Sequence, residues 1–141
     1  MSEQDVNRPQ ATPQVPDDPE GGTRLEPQQI FDLARQGGDV LLDLVDAGLP
    51  VDLADEVGNT LLMLAAYHGH ADLTAGLAER GADVNRLNGK QQAPLAGAVF
   101  KGEADVIRVL LEHGADPEAG TPSARATAQM FGRELPEPGA R

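Results

Sequence analysis

Cysteine is absent from the 141 residues, and with it go disulfides, thiolate metal sites and thiol nucleophiles. Tryptophan is absent too, and the aromatic side chains are limited to Phe31, Tyr67, Phe100 and Phe131. The interior must therefore be built from Leu, Val and Ala, which suits short helices packed close together. No stretch approaches the ~18 apolar residues that span a bilayer. Met1 opens a polar segment with neither a basic n-region nor an apolar h-region. A soluble, cytoplasmic protein with no membrane contact is expected. The lack of Cys fits either redox compartment.

Positive charge is scarce, and lysine scarcest: nine of the eleven basic residues are Arg, leaving only Lys90 and Lys101. With abundant Ala, Gly and Asp, this bias points to a GC-rich bacterial genome. The net charge of −12 divides into −3 over residues 1–24, −5 over 25–54, −5 over 55–120 and +1 over 121–141. Phosphate backbones would be repelled, since nucleic-acid affinity comes chiefly from Lys and Arg displacing counterions. The acidity serves solubility first, and it leaves a basic partner surface open.

What the chain does contain is a repeat. Asp55–Leu87 and Asn88–Gly120 superimpose when slid by 33 residues, matching Leu62 with Leu95, Ala65 with Ala98, Gly69 with Gly102, Leu77 with Leu110 and Gly81-Ala82-Asp83 with Gly114-Ala115-Asp116. A period of that length marks a repeat architecture. Residues 1–24 are Pro, Gln, Asp, Glu and Gly with almost nothing to bury, so a disordered tail is expected there. Order should begin near Leu25, where Ile30, Phe31 and Ala34 share one helical face. A second helix from about Asp39 turns Leu41, Leu44 and Val45 inward and Asp39, Asp43 and Asp46 outward, as a solvated capping exterior. Gly48 stands where Gly81 and Gly114 stand, which makes 25–54 a degenerate first repeat. In the second repeat Leu61, Leu62, Leu64, Ala65 and Ala66 supply an inner helix, and Leu73 and Leu77 an outer one. The third substitutes Leu95, Ala98 and Val99, then Val106, Ile107, Leu110 and Leu111. In GTPSARATAQMFG, Thr121 is expected as N-cap and Pro122 as the first helical residue. Ala124, Ala128 and Phe131 should then close the core.

These residues resemble the ankyrin repeat, a β-turn followed by two short antiparallel helices. The likeness covers about 25–135 and is strongest in GHADLTAGLAERGADVN (69–85) and GEADVIRVLLEHGADP (102–117). The family's Thr-Pro-Leu-His becomes Thr60-Leu61-Leu62-Met63 and Ala93-Pro94-Leu95-Ala96. The missing histidine at Met63 and Ala96 implies somewhat lower stability and an unchanged fold.

Candidate chemistry falls away on inspection. His68-Gly69-His70 offers two ligands astride a turn, too few for four-coordinate zinc; the resemblance places His70 in a structural Gly-His, and His68 and His113 on variable, solvent-facing positions. Asp52, Asp55 and Glu56 suggest a calcium loop, but from Asp52 the sixth position is Val57 instead of Gly and the twelfth is Met63 instead of Glu. Gly89-Lys90 lacks the rest of a phosphate loop. No nucleophile and oriented base can be assembled. Neither enzymatic activity nor a cofactor is expected.

The resemblance implies a concave face made of turn tips and inner helices. Mapped onto this chain, it gives Glu56, Val57, Asn59, Tyr67 and His68 in the second repeat and Gly89, Lys90, Gln92, Phe100 and Lys101 in the third as partner-binding positions. Tyr67 and Phe100 are equivalent, and side by side on a ledge they would form a hot spot, since rigid rings bury area at small entropic cost. The alternative is that either ring folds over its neighbour repeat and shields the core. Both lysines lie on this face, which suits a partner with a carboxylate near an apolar anchor.

The expected protein is an all-α ankyrin-repeat solenoid. Two full repeats (55–87 and 88–120) would be flanked by degenerate capping ones, with tails at 1–24 and 136–141. It would act as a monomeric protein-interaction module, an adaptor or accessory subunit for an unidentified protein partner. A homo-oligomeric structural protein, or a small-molecule-binding protein or enzyme, are the other classes.

Overall fold

The computed structural model describes residues 25–136; the expected tail at 1–24 and all but Pro136 of the tail at 136–141 lie outside the described residues. Seven helices follow one another: α1 (Pro27–Gln36), α2 (Val40–Asp46), α3 (Leu61–Tyr67), α4 (Ala71–Glu79), α5 (Pro94–Lys101), α6 (Ala104–Glu112) and α7 (Ala124–Met130). Inner helices α1, α3, α5 and α7 lie side by side in that order, and α2, α4 and α6 pack behind them, each against the inner helix that precedes it. The described residues contain no strand, only an isolated antiparallel bridge between Ala54 and Thr60 at a turn tip.

Local chemistry sets the helix starts. Thr60 Oγ1 accepts the Met63 N–H at 3.1 Å and Ser123 Oγ accepts the Ala126 N–H at 3.1 Å, each satisfying an otherwise orphaned donor. Ala93 has no capping side chain, but Pro94 at the first helical position carries no N–H to satisfy. The cap of α7 is therefore Ser123 instead of the expected Thr121. The Thr121 N–H donates to the Gln91 carbonyl at 2.8 Å, which ties Thr121 to the preceding turn and leaves the cap to the next hydroxyl along.

Leu and Ala build the core, as their abundance requires. Ile30, Leu41, Leu61, Leu62, Leu77, Leu95 and Leu110 are fully buried, with Ala34, Ala65, Ala66, Ala98 and Ala124 at the helix contacts. Leu44 and Val45 pack against this core while keeping part of their surface exposed.

Successive repeats are joined by a recurring contact at the end of each inner helix. Gly37, Gly69 and Gly102 have φ of 84°, 81° and 73°. A Cβ on them would meet His70 Nδ1 at 2.7 Å, Glu103 Oε1 at 2.8 Å and Arg133 Nη1 at 2.5 Å. Each glycine thus leaves both the backbone conformation and the space that the following repeat's side chain occupies. His70 adds a bond from Nε2 to the Arg35 carbonyl, at 2.5 Å, satisfying one of the last acceptors of α1.

The loops are tied by a second ladder. Asp52 Oδ1 accepts the Asp83 N–H at 3.0 Å, and Asn85 Oδ1, one repeat on, accepts the Asp116 N–H at 2.7 Å. Asp55 Oδ1 accepts the N–H groups of Val57 and Asn59 within its own turn. These carboxylates build turns. On the outer face Arg80 forms a two-pronged pair with Asp46 (2.8 and 3.2 Å) and holds that carboxyl below its usual range through the hydrogen bond. One member of the expected acidic stripe is therefore a contact between repeats.

At the tips, Gly58 has φ of 94°, and a Cβ there would lie 2.9 Å from the Gly89 nitrogen. Its equivalent one repeat on, Gln91, has φ of 66° and is the sole non-glycine with positive φ among the described residues. Gly58→Ala should destabilise the fold by about 2 kcal/mol, through backbone conformation and collision with main chain. Gln91→Gly should stabilise it by about 0.5–1 kcal/mol. Urea unfolding followed by circular dichroism checks both, and a neutral Gly58→Ala would remove this account of the tips.

Candidate functional site

Helices α3, α5 and α7 enclose an open groove of about 580 Å³. Its position follows from the capping pattern. Seven residues after each inner-helix cap, counted from Thr60, Ala93 and Ser123, stand Tyr67, Phe100 and Met130, all on one edge of the helix row. Six large apolar side chains are exposed among the described residues, and four of them, Tyr67, Phe100, Met130 and Phe131, border this one groove. They keep between 38% and 65% of their surface open to solvent. Phe131 was expected to close the core with Ala124 and Ala128. Those two alanines are buried, but Phe131 caps the C-terminus of α7 and leaves its helical face for the groove.

Tyr67 and Phe100 each lean toward the following repeat. Phe100 meets Phe131 edge to face, with centroids 5.5 Å apart and planes at 73°. Tyr67 sits over Gly97, where a Cβ would lie 3.4 Å from its Cδ1. Its ring also meets His68 edge on at 5.6 Å, and Lys101 Nζ stands 4.6 Å above its centroid as a cation–π contact.

An amide network fixes the turn-tip end of the groove. Asn88 is buried, and its Oδ1 accepts the N–H groups of Lys90 (2.9 Å) and Gln92 (3.0 Å). That assignment makes its Nδ2 a donor, and it bonds Asn59 Oδ1 and Gln92 Oε1, both at 2.8 Å. Gln92, an exposed residue of the groove lining, joins the network through Oε1, and among the described residues its NH₂ has no hydrogen-bond partner.

Among the positions mapped from sequence, the groove brings together Asn59, Tyr67, Lys90, Gln92 and Phe100. His68 and Lys101 stand at the rim through their contacts with Tyr67. Glu56 and Val57 are exposed on the second-repeat tip outside the groove lining, and Gly89 donates its N–H to the Val57 carbonyl at 2.6 Å. Sequence reasoning missed Asn88, Met130 and Phe131. Met130 was hidden because the caps Ala93 and Ser123 are 30 residues apart, so a 33-residue ruler steps past it.

The histidines have structural surroundings. His113 is half-buried, with Nδ1 2.9 Å from the Val109 carbonyl, and so is not the fully solvent-facing residue expected. A shallower hollow of about 410 Å³ collects Asp39, Asp72 and Asp105 at the starts of the outer helices, where negative charge favours the helix dipole. Among the described residues, no three His, Asp or Glu side chains are grouped so as to hold a metal ion. No described helix is long and apolar enough to cross a membrane.

Although much of the His68 ring is open to solvent, partial desolvation, with Lys101 next and then His70 and Arg35, pushes its pKa below the ordinary 6.5. The shift favours the neutral imidazole. Because the folded value is depressed, its contribution to stability is present above 6.5 and lost as pH falls through the folded value. Imidazole C–H NMR titration should give a midpoint below 6.5 for His68, moving upward but not fully back in Lys101→Ala.

Comparison with known proteins agrees with this geometry. Residues 30–121 match a family model described as ankyrin repeats (3 copies). An ankyrin repeat protein of Pseudomonas aeruginosa is 58% identical over 45 residues, covering 31% of this chain and 26% of that protein. An ankyrin repeat-containing protein of Schizosaccharomyces pombe is 40% identical over 57 residues, covering 40% of this chain and 28% of the other. Human ankyrin repeat domain-containing protein 29 is 46% identical over 57 residues, covering 39% and 19%. The chain thus matches less than a third of the length of each of these relatives. Three repeats across most of the described residues, in the helix order and glycine pattern given above, make it a member of the ankyrin-repeat family.

Proposed function

We propose that this protein acts as an adaptor or accessory subunit, binding a protein partner in the groove across α3, α5 and α7, as a monomer and without chemistry of its own. Ankyrin repeats are in general protein-interaction modules and not enzymes, and the family supplies that much. The observation that carries the finer reading is the gathering of Tyr67, Phe100, Met130 and Phe131 on one concavity. A small chain with four aromatics leaves three of them open to water in a single place. Such a patch is a binding surface far more often than a packing accident, and large rigid side chains are the usual anchors of interfaces.

Preformed geometry supports the same reading. The groove walls stand on helices whose opposite faces are buried, and the amide network holds the tip in one arrangement. A partner would meet a surface already ordered, with little entropy left to lose.

Affinity capture from native lysate with the wild-type chain and with Tyr67→Ala/Phe100→Ala in parallel tests this, once circular dichroism shows both folded. The double variant should lose the partner by about 30-fold or more, the scale of an interface hot spot. A partner held equally by both baits would place the contact outside the groove.

A further inference from the structure

The groove differs from the rest of the molecule in the sign of its charge. Acids outnumber bases by 23 to 11 in the chain, yet among the described residues no carboxylate lines the groove. Cations stand at both ends instead. Lys90 lies at the turn-tip end, and Lys101 and Arg133 stand at the other, over the rings of Tyr67 (4.6 Å) and Phe131 (5.3 Å). The ion pairs of the described residues use Arg35, Arg80, Arg108 and Arg125, and none engages Lys90, Lys101 or Arg133. Among the described residues no carboxylate pairs with these three charges.

Resting on the protein-binding reading above, we propose that the groove takes an extended acidic segment of the partner. A large apolar side chain of that segment seats among Tyr67, Phe100 and Phe131, and Asp or Glu side chains on either side of it reach Lys90 at one end and Lys101 and Arg133 at the other. The NH₂ of Gln92 is a further donor, suited to a carbonyl or carboxylate and not to an ammonium. Spacing follows from the helix between the two ends. The eight residues of α5 rise about 12 Å. An extended chain crosses that distance in about four residues. The recognised pattern is therefore two acidic positions about four residues apart with an aromatic or Leu-like anchor between them.

The global charge of −12 does not oppose this. Screening limits each charge to a range of about 8 Å at physiological salt. The carboxylates of the outer helices, Asp43, Asp72 and Asp105 among them, are exposed on elements behind the inner row. A short segment with two or three carboxylates responds to the local cations, whereas a nucleic acid carries charge along its whole length and meets the whole acidic surface.

Random 12-residue peptides displayed on phage, panned against the full chain, test the assignment; synthetic peptides from the selection are then measured by fluorescence polarisation. The selection should enrich Asp and Glu around one large apolar residue. Binding should be lost in Phe100→Ala, weaken about tenfold in Lys90→Glu/Lys101→Glu, and fall with added salt. Neutral or basic peptides that still need Phe100 would overturn the acidic assignment and leave the groove as a protein-binding site. Selected peptides indifferent to Phe100→Ala would remove both readings, and an empty selection would rule out an extended segment.

Other occupants give their own results, each counting against the proposal. Displacement of the peptide by oligo-dT would indicate a nucleic acid. Dimerisation by light scattering that disappears in Phe100→Ala would give the groove to a second copy. Tightening by tenfold or more in Asp17→Asn/Asp18→Asn/Glu20→Gln would give it to the chain's own N-terminal segment.

Discussion

The structure depends on a close approach between repeats at the end of each inner helix. Gly37, Gly69 and Gly102 vacate the volume into which His70, Glu103 and Arg133 extend. A side chain at Gly37 would meet the His70 ring, itself held by its bond to the Arg35 carbonyl; at Gly69 and Gly102 the ends of Glu103 and Arg133 can turn aside, and there the positive φ is the constraint. Tyr67 and Phe100 stand two residues before Gly69 and Gly102, at the same ends of the inner helices. Tyr67 lies over Gly97, and Phe100 meets Phe131, only because adjacent helices are held at one fixed separation. The groove is thus built from contacts between adjacent repeats, and its shape and the packing of the solenoid cannot vary independently.

Much of this was legible from the residues. The 33-residue period located the paired helices, and the Leu and Ala positions on their inward faces are the ones found buried. Periodicity works there because the same packing problem recurs with the same solution. It failed where the problem changed. The loop before α7 is shorter than its predecessors, so Ser123, Met130 and Phe131 fall out of register with Ala93, Phe100 and Lys101. Counting from the capping hydroxyl, with Gly132 standing where Gly69 and Gly102 stand, would have recovered them. Asn88 was missed for another reason. Its buried amide matters through bonds to Asn59 and Gln92 in a folded tip, and a single Asn in a turn sequence does not distinguish that from an ordinary turn residue.

Charge is partitioned with the fold. Acids collect at the starts and on the outer faces of the second-layer helices, where the helix dipole and water both favour them. Two are used to join repeats, Asp46 through Arg80 and Asp52 through the Asp83 amide. Lys90 stands at a turn tip, Lys101 at the C-terminus of α5 and Arg133 just beyond α7, clear of the Ala-rich contacts between the inner helices. The exterior is acidic and the groove has cations at its ends.

Helix α7 differs from the other inner helices in having no described outer helix behind it; it rests principally on α5. Its local unfolding free energy is set by one interface, where α3 and α5 are each held by several. Opening α7 would remove Met130 and Phe131 and strip the groove of one wall while the repeats before it stayed folded. A ligand bound across α5 and α7 would close that equilibrium, so occupancy should be written into the amide-exchange rates of residues 124–131 more than anywhere else in the chain.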